Sequence, residues 1–277
     1  MVPKIVCLVQ LILFSFGKTE SKAIQARMID LSHLNTAAFA LPSEKTGALV
    51  TDWDENSDSN PEELGEYAEG DILFPNLAGR NGLKAESTRW PNAIIPYEIK
   101  GNFDGHEMDS IKQAINVYHN KTCLKFKPRM GEVDYIKITS SSTGCWSSVG
   151  RIGGSQDVNL QTPGCLKRIG TVLHELMHAA GFLHEQNRHE RDNYVEIVWK
   201  NIKHGHEHNF DKAKKSKTND FGVVYDYNSI MHYSSKAFST NGERTIIPNA
   251  MNIEIGQRKG FSRGDIQKIN RMYNCTV

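Results

Sequence analysis

The residues richest in chemistry lie between positions 174 and 184, in the run His174-Glu175-Leu176-Met177-His178-Ala179-Ala180-Gly181-Phe182-Leu183-His184. Histidines four apart on a helix share a face, so His174 and His178 can reach one ion. Glu175 starts the next step round the helix, where its carboxylate can meet a water on that ion without ligating it. Gly181 permits the positive-φ turn that ends the helix and brings His184 back to the same place. Three neutral imidazoles leave the fourth zinc position open, which marks a catalytic rather than a structural site. The plain alternative is a helix with scattered histidines. With 11 His in 277 residues, the full pattern arises by chance in fewer than ~1 in 1,000 such chains. The spacing therefore predicts one Zn2+ per chain.

Positioning these groups requires a helix over Ile169–Ala180, which reads as buried and stops at Gly181. Before it, Ile94–Ile99 is β-prone, and Pro96 places it at an edge or a strand start. Met108, Ile111, Ile115 and Tyr118 recur at helical spacing and predict an amphipathic helix over 107–119. Tyr135–Thr139 alternates as a strand, and 158–160 follows the Gly153-Gly154 break as another. Near the end, Ser262 and Asp265 form a capping pattern ahead of Ile266, Ile269 and Met272. The fold class is α+β, with sheet segments before the central helix and mostly irregular chain after it.

The chain is 39% hydrophobic and 23% charged, with a net charge of +1. Such values suit a globular core and exclude wholesale disorder. They give no case for nucleic acid or acidic membranes as the main partner. The charge is divided unevenly: residues 1–80 carry a net of −6 and residues 81–277 a net of +7. Lys4 followed by the apolar run from Ile5 to Phe16 reads as a secretory signal, residues 1–21, ending between Gly17 and Ala23. No later stretch approaches the ~20 apolar residues of a membrane span. A secreted protein free of the membrane after signal removal is expected. Residues 51–71 hold nine acidic groups and no basic ones, which predicts an extended, poorly packed segment. Arg80 offers a basic cleavage point beyond it. Cys7 lies in the signal, leaving Cys123, Cys145, Cys165 and Cys275 with three possible pairings. Asn120 and Asn274 sit in glycosylation tripeptides.

These motifs resemble the astacin family of zinc metalloendopeptidases, within the metzincins. His184-Glu185, Arg188 and Arg191-Asp192-Asn193-Tyr194-Val195 resemble the family's extended signature, with Glu190 where many relatives have Asp. Tyr225-Asp226-Tyr227-Asn228-Ser229-Ile230-Met231-His232-Tyr233 resembles its Met-turn, and Cys145-Trp146, Val149-Gly150-Arg151 and Cys275 also match. The resemblance covers residues 81–277. It implies a cleft between an N-terminal half with a twisted sheet and two helices and an irregular C-terminal half with a terminal helix. It implies His174, His178 and His184 as zinc ligands and Glu175 as general base and later acid. Tyr233 would be a further ligand that swings away to stabilise the oxyanion, with Met231 as an apolar floor. Protein or peptide substrates would lie along an edge strand at 153–161. The implied disulfides are Cys123–Cys275 and Cys145–Cys165.

The same resemblance assigns the acidic part, residues 22–80, as a prosegment and 81–277 as the catalytic domain. In the family, the Asp of a Phe-x-Gly-Asp motif reaches the zinc. Here Ala68-Glu69-Gly70-Asp71 lacks the Phe but keeps Gly and Asp, so Asp71 is the expected latency ligand. Cleavage after Arg80 by a trypsin-like protease would leave Asn81, whose freed amine would pair with Glu185. Acid-preferring members line the pocket after the scissile bond with basic side chains. Gly256-Gln257-Arg258 resembles that segment and makes Arg258 the candidate. His206 stands where some relatives carry Arg, and would add charge below about pH 6.5. The end of the chain two residues after Cys275 leads us to expect a minimal protease, and a monomer is expected. Glu185 and Tyr233 argue against other metzincin classes, and intact Glu175 argues against an inactive binding protein. Arg263-Gly264-Asp265, a tripeptide read by some adhesion receptors, opens a predicted helix and has a plain capping use there.

Overall fold

Alternating apolar residues build a five-stranded sheet from β1 (Ile94–Ile99), β2 (Lys125–Pro128), β3 (Tyr135–Thr139), β4 (Cys145–Ser147) and β5 (Ser155–Leu160). The structure, a computed structural model, describes Leu34 and residues 36–75, 88–216 and 218–276. The expected signal and the cleavage point at Arg80 and Asn81 lie outside these residues. Spatial order in the sheet is β2-β1-β3-β5-β4, and only β4 runs antiparallel to its neighbour.

Two expectations about sheet edges are overturned. β1 is interior, paired to β2 and β3; Pro96 is accommodated because the ladder to β3 begins only at Tyr97. Residues 153–161 are not an edge either, since β5 is paired to β3 on one side and β4 on the other. Gly150, Gly153 and Gly154 all have positive φ and fold the chain back between β4 and β5, which leaves β4 at the rim.

Helix α1 spans Glu44–Thr51, α2 Gly105–Lys121, α3 Ile169–Ala180 and α4 Arg263–Met272. An Asp104–Glu107 capping box starts α2 earlier than the apolar spacing alone suggests. Its buried face, Ile111, Ala114, Ile115 and Tyr118, lies in the same core as α3, and the Tyr118 hydroxyl donates to the Leu173 carbonyl at 2.8 Å. Every residue of α3 from Gly170 to Ala180 is buried. Val172, Leu173, Leu176 and Met177 each contribute roughly 1.5–3 kcal/mol of apolar burial, which anchors α3 in the core. Gly181 ends it at φ 113°. After α3 the described residues form only the small sheet β6 (Val195–Ile197) with β7 (Ile246–Pro248), short 3-10 turns and α4. The disulfides are Cys123–Cys275 and Cys145–Cys165, as the resemblance implies. No helix among the described residues is long and apolar enough to cross a membrane.

The acidic segment is packed, against expectation. Asn60, Glu62, Glu63, Tyr67, Glu69 and Asp71 are all buried. Acid-rich composition alone predicts solvation, but here the rest of the chain supplies donors: Arg258 to Glu62, and Ser234 to Glu63 through N and Oγ, both at 2.6 Å. Leu73 N donates to Ser147 O at 3.1 Å and Ser147 N to Asp71 O at 2.9 Å, so the segment extends the sheet at the β4 rim. Its Ile72 bridge to Ser147 is parallel. Ala68, where the family motif has Phe, is buried in a cluster with Leu34, Ala38, Ile72, Phe74 and Val149.

Candidate metal centre

Helical spacing on α3 and the Gly181 turn bring three imidazoles to one point. His174 Nε2 lies 3.1 Å from His178 Nε2 and 3.3 Å from His184 Nε2. Each ring is oriented from its other nitrogen: His174 Nδ1 donates to Ile230 O and His178 Nδ1 to Phe182 O, both at 2.8 Å. His184 Nδ1 lies 2.7 Å from Glu69 Oε2. With Nδ1 carrying the proton, Nε2 of His174 and His178 presents a lone pair. Lone pairs converging at such distances repel one another unless a cation lies between them, which fits a zinc site.

Asp71 completes the cluster, its Oδ2 lying 2.9 Å from His174 Nε2 and 3.3 Å from His184 Nε2, with Oδ1 3.3 Å from His178 Nε2. The four ligand atoms lie within 4.8 Å of one another. Burial would raise the Asp71 carboxyl, but the His184 and His178 imidazoles hold it well below the usual carboxylate range. Burial opposes charge on His184 as well, yet the facing Asp71 and Glu69 push it up to about 9. The centre therefore already favours positive charge. Gly70 is needed just before Asp71, because a Cβ there, at φ 84°, would meet the Phe238 ring at 2.9 Å.

Glu175 is fully buried, and neither carboxylate oxygen has a hydrogen-bond partner among the described residues. Burial, with repulsion from Asp71 and Glu62, pushes its carboxyl well above the ordinary value. A buried carboxyl left unpaired beside converging imidazoles is costly for stability alone. Tyr233 is buried with its ring 4.7 Å from that of His184, and its hydroxyl donates to Glu69 O at 2.6 Å. Met231 is buried, and its carbonyl accepts from Glu185 N at 3.0 Å.

Arg258 is not a solvated surface arginine. It is buried and pairs with Glu62, whose Oε2 also accepts from Thr171 Oγ1 at 3.2 Å. One guanidinium nitrogen, Nη2, has no hydrogen-bond partner among the described residues. His206 is half-buried and stacks on Phe238 at 5.3 Å. Burial and the nearby Lys203 lower its pKa, so the charge expected just below pH 6.5 is displaced to more acid conditions. In the uncut chain Glu185 is served by Lys268, Arg188 and Asp226 N. Asp265 of the adhesion-like tripeptide is buried, binding Ser229 Oγ at 2.6 Å and Ile230 N at 2.9 Å. Its role is to brace the turn that carries Met231. Asn120 and Asn274 are both exposed.

Sequence reading missed Glu62, Glu63, Glu69 and Lys268. Asn60-Pro61-Glu62-Glu63 did carry a local signal, a capped turn with proline at its start. Nothing local marks Lys268.

Comparison with known proteins agrees with this geometry. The family model described as Astacin, a peptidase family, matches residues 82–274. Zinc metalloproteinase nas-7 of Caenorhabditis elegans is 44% identical over 218 residues, covering 78% of this chain and 56% of that protein. High choriolytic enzyme 1 of Oryzias latipes is 42% identical over 229 residues, covering 79% and 81%. The chain thus spans little more than half the length of nas-7, and 43% of the relative nas-13. The solved structure of the medaka hatching enzyme zinc-protease superposes with a TM-score of 0.63 at 43% identity, covering 68% of this chain and 93% of that one. With the motifs, the fold and these matches in agreement, the chain belongs to the astacin family of peptidases.

Proposed function

We propose that this protein is a secreted zinc-dependent endopeptidase made as a zymogen, in which residues 22–80 cover the cleft of 81–277 until cleavage after Arg80. The observation that carries this reading is the unpartnered, buried Glu175 beside three converging imidazoles, with Asp71 set among them. Zinc held by His174, His178 and His184 would supply Lewis acidity that brings the pKa of a water toward neutrality. Glu175, kept basic by its burial, takes the proton of the attacking water and delivers it to the leaving amine. Tyr233, once released from Glu69 O, would be a further residue able to hold the metal, and its hydroxyl could donate to the developing oxyanion. Ser147 N and O, released from Asp71 and Leu73, become free to bind an extended substrate backbone at the β4 rim.

Loss of Glu62 also frees Arg258. Its buried guanidinium is then the natural receptor for an acidic side chain just after the cut. Protein or peptide substrates and a trypsin-like activator are the partners of this reading, in which the enzyme is a monomer glycosylated at Asn120 and Asn274. The test is to secrete the full chain, treat it with trypsin, and follow zinc content, the new N-terminus and casein cleavage together. Casein should be cut only after the prosegment is removed, with Asn81 first, and activity should vanish on chelation and return with zinc. Zinc-loaded, processed protein that leaves casein and peptide libraries intact refutes the reading.

A further inference from the structure

Helix α1 is held by residues other than those that meet Glu62, Glu63 and Asp71. Ser43 caps it by accepting from Thr46 N, and its buried side consists of Thr46, Gly47 and Val50. Val50 is fully buried and belongs to the main core together with Cys145, Cys165 and Leu166. Two glycines from 81–277 make room for it. A Cβ on Gly164 would lie 2.6 Å from Val50 Cγ1 and 2.7 Å from Val50 O, and one on Gly144 would lie 2.6 Å from Thr46 Cγ2. The approach is as close from the helix side, where a Cβ on Gly47 would lie 1.9 Å from Ser142 O. Gln161 Nε2 donates to Gly47 O and Thr51 Oγ1, both at 2.8 Å, and its Oε1 accepts from Gly144 N at 2.7 Å.

Trp53 extends the contact. It is buried, Lys167 Nζ donates to its carbonyl at 3.0 Å, and the Arg168 guanidinium lies 5.0 Å from its ring. None of these contacts uses a residue of the metal cluster. All of them reach α1 or Trp53, which lie N-terminal to Arg80. A cut after Arg80 therefore removes only the covalent tether, which acts by raising the effective concentration of the docked segment. The socket under Val50 stays filled, and the buried pair of Glu62 with Arg258 is equally untouched. An apolar side chain seated in a close-fitting, desolvated pocket is the kind of contact that holds separate chains together.

We propose that the surface around Gly144, Gln161 and Gly164 is an anchoring site for α1, separate from the metal centre, that keeps the cut prosegment bound to 81–277 as a second chain. Cleavage after Arg80 then yields a non-covalent complex that is still blocked, and activity appears only as the prosegment dissociates. Loss of the prosegment on dilution becomes the second step of activation. This rests on the zymogen reading above. The zinc-dependent activity of 81–277 freed of its prosegment tests that reading separately, because retention is measured without any substrate.

The experiment cuts the secreted full chain with immobilised trypsin and confirms by mass an intact prosegment ending at Arg80. It then measures the concentration at which half of that prosegment separates on gel filtration. Wild type, Val50→Ala, Gly164→Ala and Leu49→Ala are compared. The wild-type pair should co-elute at micromolar concentration, with peptidase activity rising on dilution. Val50→Ala empties the socket and Gly164→Ala crowds it, so each should weaken retention at least ~10-fold. Leu49 lies on the outer face at 42% exposure, so Leu49→Ala should stay within ~3-fold. Free prosegment in wild type directly after the cut, or losses in Val50→Ala no larger than in Leu49→Ala, overturn the proposal. Where a variant is not secreted folded, or trypsin also cuts inside the prosegment, synthetic peptides of residues 36–75 replace it. Parent, Val50→Ala and Leu49→Ala peptides are titrated into freed wild-type 81–277, and the same order of affinities is required.

Discussion

Replacing Glu62 by Ala in the prosegment should weaken its hold on the cleft far more than its one charge suggests. Glu62 and Arg258 both have fully buried side chains, at 0% exposure each. With the carboxylate gone, the docked guanidinium keeps only the carbonyls of His232 and Gln257 as acceptors. Removing one partner of a buried pair costs about 3–5 kcal/mol, because the other charge is left stranded. The undocked enzyme gives Arg258 to water whichever prosegment is present, so the whole penalty falls on the docked state. At about 1.4 kcal/mol per tenfold, docking should weaken by roughly 100- to 4,000-fold. The assay is inhibition of activated enzyme by synthetic peptides spanning residues 36–75, which reads the change without the effect of tethering. Asp58→Ala is the control. Its 2.7 Å pair with Lys236 is exposed, at 71% for the acid, and should matter by no more than ~5-fold. A Glu62→Ala peptide that inhibits within ~5-fold of the parent, or no worse than Asp58→Ala, would refute the argument that burial sets the magnitude.

Three further outcomes are expected. Glu175→Ala should keep zinc, since Glu175 is not among the clustered ligands, but lose at least ~100-fold in peptidase rate; near-normal cleavage with full zinc would remove it as the base. Any acidic preference at the Arg258 pocket should stay flat between pH 8 and 6.5, because the His206 pKa is lowered and its charge appears only at more acid pH; peptide-library profiles at both values, with Arg258→Ala alongside, check this. Asp265→Ala should destabilise the fold by about 3 kcal/mol through its lost buried hydrogen bonds to Ser229 and Ile230. For a domain of this size that is a fall of roughly 6–12 °C in Tm, readable by calorimetry, and an unchanged Tm would show the brace to be dispensable.

The sequence by itself determined everything that depends on neighbours within a turn or two. Helical spacing put His174 and His178 on one face, Gly181 stopped α3, and the Ser262–Asp265 pattern started α4, because 3.6-residue periodicity and capping act locally. The α+β class and the motif-level resemblance followed from the same short-range order. Tertiary structure alone decided which strand lies at the rim, what the acidic segment does, and who serves Glu185. Residues 153–161 read as an edge until β4 folded back over β5, since pairing partners are not written in a strand's own alternation. Composition made residues 51–71 look solvated, yet Glu62 meets Arg258 across 196 positions of sequence and Glu185 meets Lys268 across 83. A run of acids states only its charge. Whether that charge is left in water or buried depends on a cation brought to it by the folded chain, and that pairing exists only once distant segments have packed together.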